Sequence, residues 1–480
     1  MTLAHTPGRA GTASGPPVPA QIPEPVRAEE APLVRHWETV RLAVRTAMRT
    51  LHERGAAPPD AGADDTALPQ LDGPMREFLA ASAASVVRLP DYRSARLHLL
   101  DLRRHPASRT ADTQGALVTV ARAVQHIRST GEPVTLLAPS SGNGATALRD
   151  AVLRAQLCGL AGPDQLRAVC LVPARSRDKV GGSTLDEHPE LRRRNPLVVY
   201  HGSEPAGVRG LARDYHQAHT TWLRVRTGGA LWWGAHPADH RAAATVRALL
   251  ERESLPPAPP RGRVHAQAVA TATGLLGHQL GTTLAEPEDG PAPRYFMVQH
   301  PRTPGLVLHA LTGSFSRDGL PSYTWDRTRR LHQQREDPHF PRTTYAPEEE
   351  VDPTFYVRFP DTAAEMTAAV RAGGGGGIVV SRYECLARYP SVRAMLRPAG
   401  IELPDDPGRL REWALVMAMT GVLNAVDRGL LESPEVLVHG TGCYSEDELT
   451  PLPAAHARYA DSAGELHTVV AAAVDPDGRH

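Results

Sequence analysis

Residues 136–150, LLAPSSGNGATALRD, carry the sharpest local signal in the chain. An apolar run enters Ser140-Ser141-Gly142-Asn143-Gly144, and a helical pattern starts at once. Small residues in such a turn let a ligand approach the backbone closely. The free N–H groups of a helix start favour an anion such as a carboxylate or phosphate. Hydroxyls and an amide supply the polar groups that orient it. The same pattern also suits a plain strand-to-helix turn capped by Ser and Asn.

Working outward, the run Val134–Ala138 is a buried strand, and ATALRDAVLRAQLCGL after the turn is a helix. Further strands are expected at Ala168–Pro173, Leu197–Tyr200, Tyr295–Gln299, Thr354–Val357, Ile378–Ser381 and Val436–His439, and helices at 204–217 and 237–252. Strand–helix alternation means an α/β fold with mostly parallel sheets, because parallel strands need crossover helices. Towards the N-terminus, Leu33, Trp37, Val40, Val44, Ala47, Met48 and Leu51 recur at helical spacing, and MREFLAASAASVV reads as a second helix. The Pro- and Ala-rich residues 1–32 predict a disordered tail, and 56–72 a linker. The stretch LPPAPPRG marks a boundary near 255, and the polar segment 313–353 reads as a long loop or insertion. The resulting division is a tail over 1–32, a helical extension and linker over 33–89, a small α/β lobe over 128–254, and a large lobe made of 90–127 plus 255–480.

The chain has 480 residues with 53 basic and 53 acidic side chains, a balance that argues against nucleic acid or an anionic membrane as partner. No apolar run is long enough to span a bilayer. The N-terminal stretch lacks the apolar core of a secretory signal, and four scattered cysteines suit reduced thiols, so a cytoplasmic location is expected. No CxxC or HExxH spacing occurs, and no metal site is expected. Among the basic residues there is a single lysine, Lys179.

The Ser-Ser-Gly-Asn turn resembles the Ser/Thr-Ser/Thr-Gly-Asn motif of the fold-type II pyridoxal-phosphate enzymes, the group of threonine synthase, threonine dehydratase and cysteine synthase. Other segments extend the resemblance in sequence order. HPASRTADTQGALVTV (105–120) resembles the segment that carries the cofactor lysine, and LVPARSRDK (171–179) the strand and turn after the Asn-motif helix. ATATGLLGHQL (270–280) resembles the glycine-rich phosphate loop, and VQHPRTPGLVLHAL (298–311) the passage to the substrate lobe. Residues 376–404 and 419–442 resemble a variable strand with its switch-like helix and the closing helix, strand and Thr-Gly turn. The resemblance covers about residues 100–445. It implies a two-lobed architecture like the tryptophan synthase β-subunit, with a cleft between the lobes and a homodimeric assembly.

What departs from the family matters as much. The resemblance puts Ala111, or alternatively Thr110, where the family has the lysine that forms a Schiff base with pyridoxal phosphate. Neither has an amine. The phosphate loop keeps Gly274 but has Thr271-Ala272-Thr273 in place of further glycines. Asn143 and Thr441 match the residues facing the cofactor ring. The implied binding set is therefore Ser140, Ser141, Gly142, Asn143, Gly144, Thr271, Thr273, Gly274 and Thr441, with pyridoxal phosphate bound weakly or non-covalently, if at all. His105 and His439 are the candidate bases beside the Ala111 position, and Lys179 reads as a solvated or phosphate-facing residue of a basic turn. Two functions compete, beside a third reading as an ordinary pyridoxal-phosphate lyase whose lysine lies elsewhere in the chain. One is an enzyme of actinobacterial specialised metabolism acting on a small anionic amino acid or O-phospho amino acid, by elimination or replacement, without a lysine Schiff base. The other is a catalytically silent relative that binds a small ligand or a partner enzyme. An open polar pocket fits the first, a pocket filled by apolar side chains the second.

Overall fold

In chain order the strands of the two main sheets are β1 (Ser85–Arg88), β2 (Arg96–Asp101), β3 (Val134–Pro139), β4 (Leu166–Pro173), β5 (Leu197–Tyr200), β6 (Ala230–Trp233), β7 (Val264–Ala268), β8 (Arg294–Gln299), β9 (Gly376–Val379), β10 (Glu435–Gly440) and β11 (Arg458–Tyr459). The structure, a computed structural model, describes residues 31–53, 67–285 and 291–474. The expected tail over 1–32, save its last two residues, and most of the linker over 56–72 lie outside the described residues.

The larger sheet has six strands in the order β1-β2-β10-β7-β8-β9. Only β1 and β2 pair antiparallel; the other neighbours run parallel. The smaller sheet has five strands in the order β11-β5-β4-β3-β6, all parallel. Its strand β11 arrives from the C-terminal end of the chain. The strands β3 and β4 are buried along their whole length, as continuous apolar runs covered by helices on both faces must be. The mixed α/β fold expected from the alternation of elements is therefore the fold observed.

Helix packing fills the space around the sheets. Trp37–Glu53 buries Trp37, Val40, Ala43, Val44, Ala47 and Met48 on one face, the stripe that its spacing predicts. Ala414–Asp427 lies in the core against the larger sheet. Two expectations need correction. The second helix is shorter, Gly73–Leu79, because Ser85-Val86-Val87 pair with β2 as strand β1, where β-branched side chains pack well. Thr354–Val357 forms no strand and is an irregular segment on a cavity wall. Within the run Gly373–Gly377, a Cβ at Gly375 would collide with the Tyr295 backbone, so the close approach of β8 requires glycine there. The insertion 313–353 holds a small antiparallel sheet of Thr324–Asp326, Leu331–Gln333 and Thr343–Thr344.

Candidate functional site

A cavity of about 390 Å³ lies at the carboxyl ends of β3, β6, β7 and β10, where open parallel sheets bind ligands. Its walls bring together Ala111, Ser140, Ser141, Asn143, Gly144, Thr271, Thr273, Gly274 and Thr441. The Ala111 N–H donates to the Thr441 carbonyl at 2.8 Å, so Ala111 and the Thr-Gly turn are tied together.

The Ser140–Gly144 turn is built for its place. Gly142 has φ +116°, and a Cβ there would lie 2.9 Å from Lys179 Cβ, so only glycine makes this turn without strain. Ser140 Oγ accepts the N–H groups of Gly142 at 3.1 Å and Ala145 at 2.8 Å. That caps the helix Asn143–Leu157 and leaves the hydroxyl proton for a ligand. Asn143 is fully engaged: its Nδ2 donates to Glu412 Oε2 at 2.7 Å, and its Oδ1 accepts from the Tyr444 hydroxyl at 2.7 Å.

Beneath Asn143 lies the chain's one lysine. Lys179 is 4% exposed, and its Nζ donates to Asp352 at 2.6 and 2.7 Å and to Glu412 at 2.7 Å. The basic turn was expected to face solvent or phosphate; instead its last residue turns inward, because two buried carboxylates need a cation. Burial opposes the Lys179 charge, but Asp352 and Glu412 outweigh it and hold the amine above its ordinary range. Burial and the adjacent Asp352 push Glu412 up, while Asp352, although buried, is pulled down by Lys179 and the Thr354 donors.

The opposite wall is a cradle of Thr271, Thr273 and Gly274 with Arg247. Ala272 takes a left-handed φ of +55°, and Thr273 opens the helix Thr273–Ala285. The Thr271 and Thr273 hydroxyls lie 3.0 Å apart. A Cβ on Gly274 would collide with the Arg247 guanidinium, so Gly274 is what lets this cation lie against the loop. Arg247 lines the cavity, donates to Gln267 Oε1 at 2.9 Å, and has no partner for its buried Nε among the described residues. Burial lowers its guanidinium to about 10, with Asp112 acting in the opposite sense.

Next to Ala111, Asp112 faces the same cavity. Burial raises its carboxyl, and His240 and Arg247 pull it back only in part. The His240 ring lies against Gly115, where any Cβ would collide with it. Its helix, Pro237–Ala243, is fixed by the neighbouring Asp239, which accepts from Arg122 Nε and Nη2 at 3.1 Å each and from Thr119 at 3.0 Å, all wholly buried. Across the cavity mouth Arg241 pairs with Glu365 at 2.7 Å.

Three expected residues are not on the cavity wall. Gly142 shapes the turn from behind. His105 is buried with its Nε2 2.7 Å from Asp150 Oδ2. His439 is wholly buried behind Arg247, with its Nδ1 3.5 Å from Nη1. Sequence reading missed Arg247, His240, Glu412 and Asp352, which come from four distant segments without a motif. The one signal available was Asp112, which follows the Ala111 position.

The architecture matches solved structures. Threonine synthase from Escherichia coli aligns over 91% of this chain and 85% of its own, at 15% identity and a TM-score of 0.51. A fungal L-serine ammonia-lyase from Rhizomucor miehei aligns over 76% and 96%, at 13% identity and 0.45. Maize serine racemase aligns over 77% and 94%, at 14% identity and 0.44. The fold is that of the fold-type II pyridoxal-phosphate enzymes, as the ordered segments led one to expect. No curated protein matches the sequence. Over residues 28–474 the sequence matches the family described as "Family of unknown function (DUF6002)", and the chain belongs to that family.

Proposed function

We propose that the cavity binds a small phosphate-bearing, amino-acid-like molecule and that the protein catalyses an elimination or replacement on it without a covalent lysine link. The observation that carries this reading is the meeting, in one open cavity, of Arg247 on the Thr271–Gly274 cradle with the desolvated carboxyl of Asp112. A buried guanidinium with an unpaired Nε, two hydroxyls and a helix start make a strong anion site. A carboxyl held above its ordinary range by burial suits proton transfer.

The residues do not fit a cofactor tethered through lysine. An amine clamped between two carboxylates stays protonated, and a protonated amine is no nucleophile. They do fit the phosphate of a free ligand, pyridoxal phosphate included. In this reading the Ser140 hydroxyl and the N–H groups opening the Asn143–Leu157 helix orient a carboxylate, the Thr271–Gly274 cradle and Arg247 hold the phosphate, and Asp112 takes or gives the proton between them. Arg-for-Lys usage suits an actinobacterial origin and a specialised pathway, and a cytoplasmic homodimer is part of the same proposal.

A second reading, a silent binding protein, draws on one observation: both polar groups of Asn143 are spent inside the protein. The two readings share the anion site and differ in turnover. Calorimetric titration of the full chain with O-phospho-L-serine and inorganic phosphate tests the shared part. Saturable binding weakened at least ~10-fold by Arg247→Met supports the site. Absence of binding, or equal binding by the variant, overturns it. Release of phosphate from O-phospho-L-serine then separates the enzyme from the silent binder.

A further inference from the structure

Behind the Arg247 wall lies a buried cluster that the cavity chemistry does not use. Glu251 on the helix Val246–Ser254, His265 on β7 and His278 on the helix Thr273–Ala285 bring one donor atom each within 4.8 Å of one another. We propose that these three side chains bind a divalent transition metal, Zn²⁺ by the chemistry of their donors.

The geometry has three parts. Glu251 Oε2 lies 2.8 Å from His278 Nε2 and 3.7 Å from His265 Nε2. Ligands of one tetrahedral zinc, each ~2.0–2.2 Å from the ion, sit roughly 3.3 Å apart, and the two separations bracket that value. The longer one exceeds a hydrogen bond, so hydrogen bonding to Glu251 does not account for where His265 Nε2 sits. Each imidazole also has its far nitrogen held, as metal-bound histidines do. His278 Nδ1 meets the Tyr295 hydroxyl at 3.0 Å, and His265 Nδ1 meets His439 Nε2 at 3.3 Å. The second oxygen of Glu251 is taken by Arg263, which in turn bonds Glu435 at 2.9 Å. That leaves one carboxylate oxygen and two ring nitrogens converging.

Two histidines and a carboxylate are a borderline-soft donor set that suits zinc over magnesium or calcium. No spacing rule revealed the site, because its residues come from two helices and a strand with no motif between them. Its place gives it a consequence. The ion would pin β7 to two helices.

The test uses the full chain purified from zinc-supplemented medium, with zinc measured by mass spectrometry and then stripped by a chelator. About one zinc per chain is expected, with re-addition of Zn²⁺ raising the thermal midpoint and Co²⁺ giving a visible d–d band. His278→Gln should lose the bound zinc. Because that substitution lies in the core, Tyr295→Phe, which keeps the ring, is the second variant, and it should weaken Zn²⁺ binding ~10–100-fold. A folded wild-type chain that holds no zinc, and whose midpoint does not move on Zn²⁺ addition, overturns the proposal. So does full zinc affinity in both variants.

Discussion

Lys179 Nζ lies 2.7 Å from Glu412 Oε2, and Glu412 in turn accepts from Asn143 Nδ2 at the same distance. The lysine and the asparagine of the Ser-Ser-Gly-Asn turn are thus joined through one buried carboxylate, with Asp352 of the insertion as the lysine's other partner. This network ties the Ser140–Gly144 turn to the 313–353 insertion and takes up the chain's one lysine amine in ion pairs.

Removing that amine should therefore unfold the protein before it alters chemistry. Lys179→Met leaves Asp352 and Glu412 buried without a counter-charge, at a cost of about 3–5 kcal/mol in urea unfolding. The double variant Lys179→Met with Glu412→Gln should recover part of the loss. The raised amine gives stability that is complete below the unfolded value and lost as pH climbs through the folded one, so wild type should weaken at strongly alkaline pH more than the double variant does.

Asp112 gives a pH dependence to ligand binding. Sulfate is the suitable probe, since its charge stays fixed. While Asp112 is protonated it does not oppose the anion; as pH rises through its raised value, its charge forms beside Arg247 and affinity should fall. Asp112→Asn should flatten that decline. It should also stabilise the fold at neutral pH, because a carboxyl raised in the folded state costs stability once it ionises. A decline that persists in Asp112→Asn removes Asp112 from the anion site.

His105 belongs to the fold rather than to the cavity. His105→Ala should cost about 1–3 kcal/mol by taking one of the two side-chain partners of Asp150 and leaving it to Arg154, while leaving sulfate affinity within roughly twofold. Burial alone would raise Asp150, but His105 and Arg154 hold it below its ordinary range. Its stability contribution is present above the unfolded value and lost as pH falls through the folded one. Asp150→Asn should therefore remove stability at neutral pH and flatten its acid dependence.

Glycines at the cavity wall can be tested without touching a polar group. Gly274→Ala must push the Arg247 guanidinium off the cradle, and Gly115→Ala must move the His240 ring. Loss of sulfate binding in Gly274→Ala, measured by calorimetry on protein of unchanged circular dichroism, is the expected outcome.

Much of this was legible in the sequence, because fold depends on local patterns. The apolar run into Ser140–Gly144 gave β3, its turn and its helix, and the ordered family-like segments gave the two-sheet architecture. The shared cavity of Asn143, Thr271 and Thr441 was legible for the same reason. Side-chain orientation was not. Lys179 ends a turn rich in arginine, and nothing local says that it points inward to carboxylates at positions 352 and 412. Arg247 reads as one more basic residue on a helix, and only the missing side chain at Gly274 gives it room. His105 and His439 were placed correctly along the chain but on the wrong side of the wall.

The most direct test is to incubate the full chain with pyridoxal phosphate, reduce it with borohydride, and measure the intact mass alongside the visible spectrum. The account predicts an unmodified lysine-containing peptide and no absorbance band of a lysine-linked cofactor, whether or not free pyridoxal phosphate binds at the Thr271–Gly274 cradle. A stoichiometric adduct mapped to Lys179, with its band lost in Lys179→Arg, would contradict it.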